Sequence, residues 1–559
     1  MNQKLRLHLN RHSEPATRRR RRGRFAQGAG LIALLLALAP TAAAGLARLS
    51  AGATWFDPTS GELTAAGPLE APSARPLGAP RAGQEWALLL SPPAPRALSA
   101  QIPATRPNIV FILADDLGIN DLAGYGRRDH RTPHLDQLAR DGVRFTSAYV
   151  AQPICSPSRA AIMTGKAPAR LHLTTYLPGR RDAPSQRLLH PVIDQQLPLS
   201  ERTLAEHFRD AGYATGYIGK WHLGGQGFLP TDQGFDRYYA GTANTTPSET
   251  EGGKGEYDLT SNAIAFIEAN RDRPFLLYLA HNSPHIPYAA RASLVAKREG
   301  AFEPTYAALV ETLDDTVGLL LDRLDRLGLT ANTIVVFTSD NGGLHVPEGR
   351  HARITHNTPF RAGKGFLYEG GLRVPLIVRW PGRIPGGRTI RTPVVNTGWL
   401  PTLLELAGRP APAGLDGESF AGVLGGRRPQ RNERFFWHFP HYTNQGSRPA
   451  GAVRDGPWKL IEHYEDGRAE LFDLAADPAE TRDLSARQPE RVVRMRQALA
   501  DWLKAVGAQT NSPNPGFRAE LHRSLYLDVD VSRFDPPRAT AREWERMQAW
   551  RKAVDAAIK

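Results

Sequence analysis

Asn108-Ile-Val-Phe-Ile-Leu-Ala114-Asp115-Asp116 and Thr333-Ile-Val-Val-Phe-Thr338-Ser339-Asp340-Asn341-Gly342-Gly343 are two apolar runs that end alike, in carboxylates or a carboxylate and an amide. Each run has strand length, with no polar alternation, as expected of a strand buried on both faces. Outward from them, residues 274–280 read as another such strand, and residues 133–142, 203–211 and 305–327 carry helical periodicity. Buried strands alternating with helices predict an α/β fold whose large, mostly parallel sheet is flanked by helices. In such sheets ligands bind beyond the carboxyl ends of the strands, so the residues after Ala114 and Thr338 are the first candidates for a site. Asp115, Asp116, Asp340 and Asn341 form a hard, oxygen-only set suited to Ca²⁺ or Mg²⁺ and unsuited to zinc. Either pair by itself reads better as a helix cap or a turn; the two together point to a site.

Past Pro429 the pattern changes. Residues 434–438, 452–461 and 469–473 are short and turn-separated, and a helical pattern follows over 489–506. This predicts a small C-terminal antiparallel sheet packed with a helix. An amphipathic stretch over 541–557 reads as a further packing helix. The expected division is a signal peptide or N-terminal anchor at 1–44, an Ala/Pro-rich linker or irregular arm at 45–104, a catalytic domain at 105–429, a C-terminal subdomain at 430–510 and an extension at 511–559.

The length of 559 residues admits two to four structural units. The formal charge of +14 invites a nucleic-acid reading, but the first 24 residues carry nine Lys or Arg against one Glu and supply +8 of it. The rest is thinly spread, with no basic stripe interleaved with aromatics, so nucleic acid is excluded as a partner. The basic run at 18–24 leads into an apolar, Ala-rich stretch ending in Ala42-Ala43-Ala44, the anatomy of a signal peptide. Export to the periplasm or medium is expected, with an uncleaved membrane anchor as the alternative. Arg21-Arg22 leaves the Sec and Tat routes both open.

Cys155 is the one cysteine, so no disulfide framework exists. Such a residue is by default a small buried hydrophobe. Its neighbours argue otherwise. In Cys155-Ser156-Pro157-Ser158-Arg159, Pro157 suits a first helical turn, which places Cys155 near a helix N-terminus and on one face with Arg159. Backbone N–H groups favour an anion there, and a thiolate nucleophile of a Cys hydrolase follows from these residues alone.

The same segment, with Thr164-Gly165, resembles the signature of the type I (formylglycine-dependent) sulfatases. Gly212-Tyr-Ala-Thr-Gly-Tyr-Ile-Gly-Lys220-Trp-His222-Leu-Gly224 is similar to that family's second signature. His281-Asn-Ser-Pro-His285-Ile-Pro-Tyr288, Ser339-Asp340-Asn341-Gly342 and the stretch from Asn357 through Lys364 to Pro375 follow in the family's order, as do Trp458-Lys-Leu-Ile461 and residues 470–480. The resemblance spans residues 105–505 and implies an alkaline-phosphatase-like fold and an arylsulfatase-like sulfuric ester hydrolase.

It also implies that a formylglycine-generating enzyme oxidises Cys155 to 3-oxoalanine (Cα-formylglycine) in a chain still unfolded around it. The hydrated aldehyde then attacks sulfur through one hydroxyl, and the second hydroxyl expels sulfate, where a serine would stall as a stable ester. Asp115, Asp116, Asp340 and Asn341, with the modified Cys155, would hold one Ca²⁺ acting as a Lewis acid. Arg159, Lys220 and Lys364 would complete a cationic cage, His222 would assist deprotonation of the diol, and His285 would serve as general acid at the ester oxygen. His281, His345, His351 and His356 match no motif as closely and remain structural or substrate-facing.

Two rival functions stand beside this one: a phosphomonoester or phosphonate hydrolase of the same superfamily, and a catalytically silent binder of sulfated glycans. A two-metal phosphatase needs a second Asp/His cluster, which the sequence does not offer. The intact Cys155 and complete cage oppose the silent binder. The expected substrate is a sulfated carbohydrate or an aryl sulfate, walled by residues 172–190, 242–256, 344–356 and 439–447, the last from the C-terminal unit beside His438 and including His441 and Tyr442.

Overall fold

The computed structural model describes residues 106–242, 249–427 and 434–558, with the backbone of three short strands at Gly52–Phe56, Leu63–Pro68 and Ala87–Leu90. Those three strands form a small antiparallel sheet with Gly52–Phe56 in the middle. The sequence reading expected an irregular arm there; the β-favouring Thr54-Trp-Phe56 and Leu88-Leu-Leu90 are diluted by surrounding Ala, Pro and Gly. The proposed signal or anchor at 1–44 lies outside the described residues. Among the described residues no helix is long and apolar enough to cross a membrane.

The main unit is built on a nine-stranded sheet. Its strands are β1 (Asn108–Ala114), β2 (Val143–Tyr149), β3 (Ala214–Gly219), β4 (Arg237–Tyr239), β5 (Phe275–Ala280), β6 (Thr333–Ser339), β7 (Arg373–Arg379), β8 (Arg388–Ile390) and β9 (Val394–Val395). Their order is β8-β2-β7-β6-β1-β5-β3-β4, with β9 also on β2. Only β7 runs against the others, pairing antiparallel with both β6 and β2. The two strands that end in the acidic residues, β1 and β6, are thus parallel neighbours at the centre of the sheet.

Why these runs lack alternation is visible in their burial. Ile109, Phe111 and Leu113 enter one core with Ile334 and Val336, while Val110, Ile112 and Ala114 enter the opposite core with Val335 and Phe337. Both faces of β1 and β6 are covered, so the interior positions of both strands are apolar on both sides. Helices do the covering: α1 (Pro133–Asp141), α2 (Cys155–Thr164), α3 (Leu204–Asp210), α4 (Glu256–Ala269), α5 (Pro304–Arg326) and α6 (Trp399–Leu406). Helix α3 starts where the sequence says it should: the Thr203 hydroxyl accepts from the Glu206 N–H and the Glu206 carboxylate accepts from the Thr203 N–H, a reciprocal cap.

The C-terminal sheet is a four-stranded antiparallel meander of β10 (Arg434–Phe439), β11 (Ala450–Asp455), β12 (Trp458–His463) and β13 (Ala469–Asp473). The stretch 452–461, read as one run, is two strands turning at Gly456, which adopts φ +59°. One face packs on α7 (Pro489–Ala505) through Val453, Leu460, Leu471, Met495 and Leu499. The other face, with Trp437, Ala452, Ile461 and Phe472, joins a core containing Tyr149, Ile154 and Leu372 of the larger sheet's surroundings. Helix α8 (Ala541–Ala556) contributes Met547, Trp550 and Val554 to that same core. It is a packing helix, as its pattern indicates.

Candidate active site

Parallel pairing sets the site. In the β1–β6 ladder Ser339 lies opposite Ala114, and the Asp340 N–H continues the pairing to the Ala114 carbonyl at 3.1 Å. Asp115, Asp116, Asp340 and Asn341 therefore leave the sheet side by side, all buried. The chain turns at Asp116, whose φ is +66°, and its N–H donates to Asp340 Oδ1 at 3.1 Å. Asn341 Nδ2 donates to Asp116 Oδ1 at 2.8 Å, while its buried Oδ1 receives no hydrogen bond.

Helix α2 delivers the thiol. Cys155 is its first residue and Pro157 lies in its first turn. Cys155 Sγ is 3.5 Å from Asp115 Oδ1 and 3.9 Å from Asp116 Oδ1. Burial pushes this thiol far up, so an unmodified Cys155 stays protonated and is a poor thiolate nucleophile. One turn on, the Arg159 guanidinium holds Asp340 Oδ2 at 2.8 Å through Nη2 and the Lys220 carbonyl at 2.6 Å through Nη1. The shared helix face expected of Cys155 and Arg159 is what joins thiol, carboxylates and guanidinium.

Strand β3 supplies the second cation. It ends at Gly219, φ +103°, where a Cβ would sit 1.9 Å from the Ala280 carbonyl oxygen of β5. Only glycine permits that approach. The next residue, Lys220, places Nζ 2.5 Å from Asp115 Oδ2, and Lys364 Nζ lies 2.7 Å from Asp116 Oδ2. His285 Nε2 is 3.5 Å from Asp116 Oδ2, and its Nδ1–H donates to the Ile286 carbonyl. His222 Nε2–H donates to the Leu177 carbonyl at 3.0 Å, which leaves Nδ1 an acceptor without a partner.

Charge is crowded here. At Asp115 burial opposes ionisation, yet Lys220, His285, Arg159 and Lys364 together hold the carboxyl well below its usual range. At Asp340 burial and then the like charge of Asp115 prevail and lift the carboxyl to about 7. Three carboxylates and a bare amide oxygen thus converge on one buried point, ringed by the Arg159, Lys220 and Lys364 cations. A hard divalent cation with oxygen preference fits this donor set, and the orphaned Asn341 Oδ1 is the observation that tests the fit. His285 lies within the same cluster of ligating atoms as Asp115, Asp116 and Cys155. The one other such grouping among the described residues, His134, Asp314 and Asp315, is accounted for: Asp314 caps α1 by accepting the His134 and Leu135 N–H groups, and Asp315 pairs with Arg291.

One neighbour appears in the sequence reading only as part of the 242–256 wall. Lys254 is buried, donates to the Pro287 carbonyl at 3.2 Å, and has its ammonium pushed down to about 8 by burial against the pull of Asp115 and Glu256. Its signal was the run Gly252-Gly-Lys-Gly255: Gly253 passes so close to Ala289 that a Cβ would fall 1.5 Å from its carbonyl oxygen. The undecided histidines divide. His281 and His345 are buried and neutral, His345 bonded to the Val531 carbonyl, while His351 accepts the Tyr288 N–H at 2.9 Å and His356 packs edge-on against Phe302. His438 and His441 are likewise buried, bonded to the Gln509 carbonyl and to Thr174.

A family model of sulfatases matches residues 107–409, more than half of the chain. The chain belongs to the sulfatase family. A second model, of the C-terminal part of N-sulphoglucosamine sulphohydrolase, matches residues 362–508, so residues 509–559 of the sulfatase lie beyond both matches. The sulfatase is 36% identical to arylsulfatase A of Homo sapiens, over 74% of its own chain and 84% of that protein. It is 35% identical to N-acetylgalactosamine-6-sulfatase of Canis lupus familiaris, over 72% and 86% of the two chains. Among solved structures it is similar to Ps i-CgsB in complex with k-i-k-neocarrahexaose, with a TM-score of 0.62 and 29% identity over 71% of this chain and 93% of that one. The sulfatase is a sulfuric ester hydrolase with an alkaline-phosphatase-like fold.

Proposed function

We propose that the sulfatase hydrolyses a sulfate monoester using a formylglycine made from Cys155 and one Ca²⁺ held by Asp115, Asp116, Asp340, Asn341 and the modified residue 155. The observation that carries this is the meeting of Cys155 Sγ with two carboxylates within 3.9 Å, inside a ring of Arg159, Lys220 and Lys364. Bound there, the aldehyde hydrate and the metal supply the nucleophile and its Lewis-acid activation.

The chain's own residues do the rest. Arg159, Lys220 and Lys364 bring three fixed positive charges to a buried site, where they stabilise the spread anionic charge of sulfuryl transfer without reorganising. His222 is held neutral, with a pKa of about 3 set by burial and then by Lys220, and its bare Nδ1 is placed to accept a hydrogen bond from the diol. His285, brought down to about 4 by burial and Lys364, is neutral in the free protein. An anionic ester beside it opposes that shift, so substrate binding itself promotes the protonated form that can donate to the departing oxygen. A sulfated carbohydrate is the proposed natural substrate, consistent with export to the periplasm or medium, and an aryl sulfate the assay substrate.

The test is the mass of the tryptic peptide containing Cys155 from protein coexpressed with a formylglycine-generating enzyme, alongside aryl sulfate turnover in calcium. Conversion lowers the mass by about 18 Da, the change from CH₂SH to CHO. A converted peptide in a protein that releases no sulfate, or that strongly prefers phosphate esters, would sink the proposal.

A further inference from the structure

Beyond the sulfate cage, two further arginines lie within one helical turn of each other along the seam between the 172–190 loop and α8, which belongs to the segment past both family matches. Arg180 Nη2 donates to the Val554 carbonyl at 3.3 Å, and Arg551 stands three residues earlier on that helix. Burial first, and the like charge of Arg551 among its neighbours, lowers the proton affinity of Arg180. The buried Nε and Nη1 of Arg180 and Nε of Arg551 have no hydrogen-bond partner. Asp555 is the one carboxylate paired with Arg551, and it is half exposed. Buried guanidinium donors left unmet on both arginines carry a cost that an anion would relieve.

The pair is not remote from the chemistry. The Tyr176 phenol senses the charges of Arg180, Glu348, Lys364 and Arg551, and the next residue offers its carbonyl to His222. Arg551 is 7% exposed, whereas Arg180 and Tyr176 are half-buried and face outward in part. We propose that Arg180 and Arg551 form a second anion subsite, which takes a further sulfate or a carboxylate of the substrate while the scissile sulfate occupies the cage. The inference rests on the sulfatase reading for the first of those two anions. It makes the substrate a multiply charged glycan, and it gives the C-terminal extension a part in choosing it.

Calorimetry decides the matter, with the full-length Cys155→Ala protein in calcium so that no ligand is consumed. Three disaccharides serve as probes: one monosulfated and otherwise neutral, one monosulfated with a uronate carboxylate, and one disulfated. The expected result is a preference for at least one of the dianions over the neutral monosulfate that falls at least fivefold in Arg180→Met and in Arg551→Met. Arg551→Lys should restore it to within twofold, since charge is kept although the fork is lost. Which dianion is preferred separates sulfate from carboxylate. A smaller fall in Arg180→Met, or no initial preference, overturns the subsite; should Arg551→Met lower the melting temperature, the less buried Arg180 still decides. Lys364→Ala reports the cage separately: if it leaves monosulfate binding unchanged, the cage reading fails, whatever the dianion preference does.

Discussion

Lys364 and Cys155 are the residues on which the chemistry is most directly tested. Lys364 Nζ, 2.7 Å from Asp116 and buried, is on the proposed mechanism one preorganised donor toward developing sulfuryl charge. Lys364→Ala should lower kcat for an aryl sulfate by roughly 10²-fold or more, as for one lost transition-state donor; an unchanged kcat would remove Lys364 from the cage. Cys155→Ser should abolish turnover, and intact mass spectrometry after incubation with substrate should find at most a single sulfated serine, because a lone hydroxyl has no second oxygen to expel the product. These residues were legible because each lies in a local motif read in order. Lys254 and Arg180 were read only as members of the 242–256 and 172–190 walls, and Arg551 not at all, for the opposite reason. Their meaning comes from burial and from partners far away in sequence, such as Val554 for Arg180, 374 positions on.

Elements carry their own tests. The end of β3 must touch the end of β5, and Gly219 allows it with φ +103° and no side chain. Gly219→Ala meets a carbonyl oxygen at 1.9 Å in a backbone region that costs about 1–3 kcal/mol for other residues. The expected outcome is a lower urea midpoint together with a fall in kcat, since Lys220 moves with the strand end. Thr203→Ala, which removes the cap of α3, should cost about 1 kcal/mol with little change in kcat. If both variants lost only stability, the claim that β3 aims Lys220 would be wrong. The sheet's central strands were readable because burial on both faces erases alternation. The reversed direction of β7 was not, since a single run bears no mark of its neighbours' polarity, and Arg373–Arg379 owes its place to pairing with β6 and β2.

At the scale of the whole molecule, the cluster of Asp115, Asp116, Asp340 and Asn341 ties two central strands at their open ends. A divalent ion that binds only the folded state stabilises it by mass action, by about 2.7 kcal/mol at a hundredfold excess over Kd. Chelation with EDTA should therefore abolish turnover and lower Tm by several degrees, and added calcium should restore both; a Tm indifferent to calcium would speak against the site. The burial of Cys155 has one more consequence, in the order of events during synthesis. What seals it is made late: Arg159 closes on Asp340, 181 positions downstream, and Lys364 comes later still. A growing chain that has presented the Cys155 segment must still make those residues before the pocket can shut. On the proposed maturation, oxidation of Cys155 would be a race with a fixed finishing line, and molecules that fold first would keep a buried thiol out of the oxidising enzyme's reach.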